Sequence, residues 1–378
     1  MCIVRGVKKK SHLLSGITGG TVAVLTSAML AIAPAHALPL PIPIGASSGI
    51  DVSGHQHPGG IAIDWKSVQR DGQSFAFVKA SEGEGWSNDY FTQDAKQAAN
   101  SGLKVGTYHY ARPSKDARTQ ARHYAAQVAQ INDHSLPPVL DIEVAEGKTP
   151  EQLAAWTKTF LNEFESQSGR KPMIYTYRYF WTHDMANTKQ FAEYPLWLAA
   201  YQTQAPEPVG GWDTIDFWQR SGSGRINGIV GDVDLNLFNG DDAQLDAFAA
   251  GNYASAGGKF ASISLPGIAD LGGDSQALVS AVAALAAGVA AAPQVAQAAE
   301  NAGLSTEGAE ELIKVVQDLI NSGNLPIDQL KDLAAGNYSV GDLVILLDNA
   351  QHLAATSSEP QNQNINVDQL VALAKNFI

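Results

Sequence analysis

The sequence predicts an α/β protein, an irregular (β/α)8-like barrel of the TIM type followed by a small all-α helical domain. Three features predict it. Over residues 48–250, eight short apolar runs recur at intervals of roughly 20 to 35 residues, with helical patterns between them; this alternation builds parallel βα units. All seven Trp, nine of 11 Tyr and ten of 12 Phe fall in that same stretch, so the bulky core belongs there. Beyond residue 273 the apolar residues take helical spacing, as at Leu312, Val315, Val316 and Leu319.

The chain opens with Arg5, Lys8, Lys9 and Lys10, an uncharged run over 13–35, and the small-x-small triplet Ala35-His36-Ala37. Residues 1–37 therefore read as a secretory signal peptide, with an uncleaved membrane anchor as the alternative. Cleavage after Ala37 removes Cys2, the single cysteine, and takes the formal net charge from −13 to −17. The mature chain would have no disulfide, no thiolate zinc site and no cysteine nucleophile, no membrane span and a secreted, extracellular or envelope-associated location. Its acidity argues against a nucleic-acid partner. A Pro-rich tether over 38–47 follows.

Strands are expected at 49–53, 75–80, 105–110, 138–143, 173–177, 196–201, 215–219 and 233–237. Helices fall between them, for example 89–101 with Gly102 as its C-cap, and one opened by Thr149 as N-cap and Pro150 at the first helical position, running to 167. About 200 residues is short for such a barrel, so some helices should be short or missing. Residues 251–273 are rich in Gly, Ser and Ala and read as a linker. In the helical domain, 274–378, the segments 327–333 and 367–373 look like one motif used twice. The uncharged, Ala-rich stretch 277–292 is too short to span a bilayer and reads as a core or interfacial helix.

Side chains alternate along a strand, so Asp141 and Glu143 share one face while Leu140, Ile142 and Val144 take the other. The same pattern puts Asp51, Asp234 and Asn236 between outward-facing apolar neighbours. Carboxylates this close in a barrel interior are costly unless used, and they converge at strand ends, where such barrels keep their sites. Carboxyl groups that raise one another's pKa suit glycoside hydrolysis. Tyr108, Tyr110, Tyr175, Tyr177, Trp197, Tyr201 and Trp218 fall at or near strand ends, either as flat faces for sugar rings or as core. His55 and His57 lack a third ligand and read as a polar loop in preference to a metal site; His109 reads as a buried, hydrogen-bonded histidine, with a substrate contact as the alternative.

The runs Gly49-Ile50-Asp51-Val52-Ser53, Phe77-Val78-Lys79-Ala80-Ser81-Glu82-Gly83, Gly106-Thr107-Tyr108-His109-Tyr110-Ala111, Pro138-Val139-Leu140-Asp141-Ile142-Glu143, Leu196-Trp197-Leu198-Ala199-Ala200-Tyr201, Trp218-Gln219 and Val233-Asp234-Leu235-Asn236 resemble the successive strand motifs of glycoside hydrolase family 25, the lysozymes of N,O-diacetylmuramidase type. The resemblance implies a cofactor-free muramidase that cleaves the β-1,4 bond between N-acetylmuramic acid and N-acetylglucosamine in peptidoglycan. Glu143 would be its general acid, with Asp51, Asp141 and Asp234 at the other acidic positions. An Asp two residues before the acid favours substrate assistance by the 2-acetamido group, with Asp141 or Asp234 stabilising it; a carboxylate pair of Glu143 with Asp51 or Asp234 across the scissile bond is the open alternative. Gln219 and Asn236 join the aromatics as candidate glycan contacts. The loop from Gly54 to Gly60, and Arg220 after Gln219, depart from the family pattern. The alternative is an exported, non-catalytic glycan-binding or adhesion protein acting through its helical region.

That region, 251–378, carries four Lys against 13 acidic residues, so it has no basic surface for an anionic wall. Its expected role is an envelope partner or self-association through apolar helix faces, with little packing against the barrel.

Overall fold

A computed structural model describes residues 45–132, 135–263, 265, 269–356, 367–375 and 377. The expected signal peptide and most of the tether lie outside them. The strands are β1 (Ser48–Val52), β2 (Phe75–Glu82), β3 (Trp86–Ser87), β4 (Lys104–Tyr110), β5 (Val139–Asp141), β6 (Met173–Tyr177), β7 (Leu196–Ala199), β8 (Phe217–Gly224) and β9 (Val233–Phe238). β3 is a short arm folded back on β2. The other eight close a barrel in the order β1-β9-β8-β7-β6-β5-β4-β2, with β2 returning to β1.

One strand departs from the parallel arrangement expected. β9 runs antiparallel to both neighbours, β1 and β8. The reason is the connection: residues 225–232 are too few for the crossover of a dozen or more residues that a parallel return needs. The reversal has a consequence for the site. It brings Asp234, near the start of β9, opposite Asp51, near the end of β1.

Helices α1 (Trp65–Arg70), α2 (Phe91–Asn100), α3 (Ala117–Val128), α4 (Pro150–Ser168), α5 (Arg178–Thr182) and α6 (Asp242–Ala249) flank the barrel. No helix separates β7, β8 and β9 among the described residues, and α5 is a little over one turn. α4 starts as expected: Thr149 accepts from the Gln152 N–H, Gln152 reaches back to Thr149, and Gly169 ends the helix in the left-handed conformation at φ 66°. Aromatic rings fill the closed end of the barrel. Phe77 stacks on Trp197 with centroids 4.4 Å apart, and Phe217 meets the edges of Phe75 and Phe77. Gly106 makes room, since a Cβ there would stand 2.2 Å from the Phe77 ring.

The helical region contains α7 (Gln276–Ala286), α8 (Ala292–Asn301), α9 (Thr306–Ser322), α10 (Ile327–Ala335), α11 (Val340–Thr356) and α12 (Val367–Ala374). α7 is the core helix expected of the Ala-rich stretch, buried from Leu278 to Ala284. The repeated motif forms α10 and α12, and both pack on α7.

Two expectations about this half need correcting. Residues 251–273 are not a free linker where they are described: Phe260, Leu265 and Leu271 are buried, and the Leu265 and Leu271 N–H groups donate to the Thr203 and Tyr201 carbonyls. Gly and Ser content suggested flexibility, but three apolar anchors strap the segment to the barrel. Nor is packing between the halves slight, for the described residues form one compact unit and α11 lies on the barrel's open end.

Candidate active site

The residues that face into the barrel change character from one end to the other. Above the aromatic floor lies a polar layer built by strand alternation from Asp51, Lys79, Tyr108, Asp141, Tyr175, Gln219, Asp234 and Asn236, with Glu143 two residues past Asp141. The four predicted carboxylates meet here. Asp51 and Asp141 are 5% exposed and Glu143 9%, while Asp234 is half-buried.

Asp51 is held by two side-chain amides. Gln219 Nε2 donates to its Oδ2 at 3.0 Å and Asn236 Nδ2 at 2.7 Å. Each amide is itself fixed by donors on its oxygen: Tyr175 Oη (2.9 Å) and Tyr201 Oη (3.3 Å) to Gln219, and Trp197 Nε1 (2.8 Å) to Asn236. Burial raises the Asp51 pKa against these hydrogen bonds. Asp234 is raised well above the usual range, first by burial and then by the Asp51 charge beside it. Of this pair Asp51, with its two amide donors, is the better stabilised as an anion, and Asp234 is the one whose proton is held more tightly.

Asp141 and Glu143 form the second pair. Burial pushes Glu143 up to about 7, against the lowering influence of the Asn349 amide and the Lys79 ammonium. Burial and the Glu143 charge raise Asp141 well above the ordinary range. Asp141 Oδ1 is buried with no hydrogen-bond partner among the described residues, an acceptor left open inside the site.

Lys79 enters from β2, with Nζ 2.8 Å from Glu82 Oε2 and 4.8 Å from the Tyr110 ring centroid. Arg112 Nη1 reaches Glu82 Oε1 at 3.1 Å and its Nε reaches Glu146 at 2.7 Å. Burial alone would raise Glu82, but His352 and Lys79 outweigh it and hold the carboxyl far below its usual range. Lys79, Glu82 and Arg112 were not among the predicted site residues. A Lys and a Glu within the mostly apolar run 75–82 were the available signal.

The aromatic residues divide. Tyr108 and Tyr201 are half-buried and keep surface at the open end. Tyr110 is covered by α11: its hydroxyl donates to Asn349 Oδ1 at 3.1 Å and its ring meets His352 at 4.9 Å. Tyr175, Trp197, Gln219 and Asn236 support Asp51 from below, and Trp197 has no face free for a sugar. Tyr177 is also buried, beside Tyr179 and Phe180. Trp218 points the other way, out of the barrel, where it packs on Phe260 and donates to the Ala200 carbonyl. Alternation explains this: Gln219 faces in, so Trp218 cannot.

The histidines are accounted for. His109 is the buried residue expected, between Ser81 and Gln120, and burial lowers its pKa to about 3. His57 has both ring nitrogens engaged, with Asp94 at 2.7 Å and the Ile61 carbonyl at 2.9 Å.

Residues 50–229 match the family model for glycosyl hydrolases family 25. Lysozyme M1 of Streptomyces globisporus is 36% identical over 211 residues, 53% of this chain and 70% of that protein. An N,O-diacetylmuramidase of Arthroderma benhamiae is 32% identical over 216 residues, 55% of this chain and 88% of that one. Among solved structures, the bacterial lysozyme from Streptomyces coelicolor superposes with a TM-score of 0.51 at 34% identity, covering 55% of this chain and 99% of its own. An entire lysozyme thus fits within little more than half of this protein. With the strand motifs, the eight-stranded barrel and the four converging carboxyl groups, this similarity establishes that the chain belongs to family 25 of the glycosyl hydrolases and is a lysozyme-type glycoside hydrolase.

Proposed function

We propose that the protein is an exported muramidase that hydrolyses the β-1,4 bond between N-acetylmuramic acid and N-acetylglucosamine in peptidoglycan, with Glu143 as general acid and base and the substrate's 2-acetamido group as nucleophile. The observation that carries this reading is the Asp141–Glu143 pair at the end of β5, a carboxyl with pKa near 7 beside a buried carboxyl oxygen that lacks a partner. At neutral pH a substantial share of Glu143 is protonated, as proton donation to a leaving oxygen requires.

In the first step Glu143 gives its proton to the glycosidic oxygen while the acetamido carbonyl oxygen bonds to the anomeric carbon. The leaving sugar departs with the proton. Asp141 Oδ1 is placed to accept the acetamido N–H and orient the attack, and Asp51, fixed as an anion by Gln219 and Asn236, stabilises the positive charge that develops. Water then attacks the anomeric carbon, Glu143 takes its proton, and the acetamido group is restored. Two amide donors hold Asp51 Oδ2 and keep the carboxylate in position for that electrostatic role. Export rests on the basic, then uncharged, then small-residue pattern of residues 1–37.

The test is incubation with purified peptidoglycan and with peptidoglycan de-N-acetylated at muramic acid. N-Acetylmuramic acid should appear at the new reducing ends of the first, and the second should resist cleavage. Equal cleavage of both would exclude substrate assistance, and N-acetylglucosamine at the reducing ends would exclude muramidase specificity.

A further inference from the structure

α11 runs across the open end of the barrel, from the rim beside β7 to the rim beside β2. At its start Gly341 lies so close to the chain after β7 that a Cβ there would stand 3.2 Å from the Tyr201 backbone nitrogen. Asp342 Oδ1 accepts from the Tyr179 N–H at 3.1 Å. At its end His352 Nε2 stands 2.8 Å from Glu82 Oε2, and Thr356 Oγ1 accepts from Arg112 Nη1 at 3.0 Å. A helix of 17 residues is about 25 Å long, enough to bridge the mouth. Between these anchorages Asn349, 7% exposed, lies against Glu143 and bonds to Tyr110.

The chemistry of this seam differs from that of an ordinary packed interface. Leu343, Leu346 and Leu347 are buried, and α11 packs on α9 of its own bundle. Asn349, His352 and Thr356, at positions i, i+3 and i+7, form one polar stripe and meet the barrel. That stripe puts an amide, an imidazole and a hydroxyl where a glycan would put its own amide and hydroxyl groups. The carboxamide of Asn349 has the chemistry of the 2-acetamido group, and it sits at the carboxyl pair assigned to that group. The fit is loose: the Asn349 amide stands near enough to Glu143 to lower its pKa, yet Asn349 Nδ2 and Asp141 Oδ1 are buried without a well-formed hydrogen bond among the described residues. Unmet polar atoms weaken a closed seam relative to one in which water or a ligand satisfies them. The side of the mouth around Tyr108, Tyr201 and Asp234 keeps partial exposure. A glycan strand, however, must pass on both sides of the acid that cleaves it.

We infer that α11 is a built-in competitor of the glycan, closing the active site over Glu143 so that substrate binds only when the helix leaves the mouth. The inference rests on the muramidase reading for which ligand is excluded. Helix and glycan compete for one surface, so apparent affinity falls by the fraction of molecules that are open. The aromatic barrel holds the catalytic groups in place, and the helical region sets how often they are reached.

The experiment compares the full chain with two variants that loosen α11 and leave every catalytic side chain of the barrel in place. One is the triple substitution Asn349→Ala, His352→Ala, Thr356→Ala. The other is Gly341→Leu, which forces the helix start away from Tyr201. Thermal melting checks that each is folded, and the second serves if the first is not. Calorimetry measures binding of a soluble tetrasaccharide of alternating N-acetylglucosamine and N-acetylmuramic acid, and reducing-end release measures turnover. Each variant should bind at least tenfold more tightly and turn over at least tenfold faster than the unaltered chain. Adding Glu143→Gln should cut turnover by about 10²–10⁴-fold and keep the tighter binding. Tighter binding with no turnover in any form would support occlusion and sink the muramidase reading. Equal or weaker binding in both variants, or none by any form, would overturn the occlusion.

Discussion

The barrel and the helical region bury their cores with different materials. The barrel packs rings on rings, Phe75, Phe77, Trp197 and Phe217 at the closed end and Tyr124, Phe160 and Phe164 beneath α3 and α4. The helical region packs aliphatic chains, with Leu330, Leu333, Leu343 and Leu347 beside Ala281, Ala283, Ala284 and Ala299 among its fully buried residues. A ring buries more apolar surface than an alanine and packs with its own stacking geometry. The difference matches the tasks assigned to them. Catalytic groups need positions fixed to a fraction of an ångström; a cover has to be able to leave.

That comparison can be broken most directly at the acid. Glu143→Gln should cut turnover by about 10²–10⁴-fold, the usual worth of a positioned proton donor, in the unaltered chain and in the loosened variants alike. If loosening α11 restored activity to the Gln form, the helix would be supplying chemistry as well as cover. Deleting core side chains sharpens the contrast. Phe77→Ala in the barrel and Leu330→Ala in α10 should each cost about 2–5 kcal/mol of stability in thermal melts, but with opposite signs in activity. The first removes the support of Trp197 and thereby of Asn236 and Asp51, so turnover falls. The second weakens only the bundle that carries α11, so turnover rises. A fall in both would mean that the halves act as one rigid unit.

Dependence on pH reads the barrel's own acid. Glu143 must be protonated to act, so with its pKa at about 7 the rate should fall roughly tenfold per unit at higher pH. Burial and the Asp51 charge raise that pKa, while the Asn349 amide, the Lys79 ammonium and the Asp141 hydrogen bond oppose them. The smallest effect is expected of Thr356→Ala alone, which removes one hydrogen bond from Arg112. It should change apparent affinity by a few-fold, about 1 kcal/mol or less.

Much of the barrel was legible in the sequence because its signals are local. Eight apolar runs marked eight strands, Thr149 and Pro150 marked the start of α4, and alternation put Asp51, Asp141 and Asp234 on inward faces. Two features depended on what local patterns do not carry. The antiparallel course of β9 follows from connection length, so Asp234 reaches the site for a reason other than the strand-end rule that suggested it. Aromatics near strand ends could not be sorted into core and surface without knowing which neighbour faced in; Trp218 and Gln219 differ in that way alone. The cover was the least legible part. Asn349 and His352 meet partners 239 and 270 positions away, and polar residues on an amphipathic helix look the same whether they face water or a ring of carboxylates.

Exchange of the α11 amide hydrogens in Glu143→Gln, with and without the tetrasaccharide, tests the central claim most directly, because this form binds glycan without consuming it. If the barrel holds the machinery and α11 is the cover, glycan should speed exchange over residues 340–356 while leaving α7 and the barrel strands protected. If glycan binds and exchange in α11 is unchanged or slower, the helix is part of the binding surface and does not compete for it.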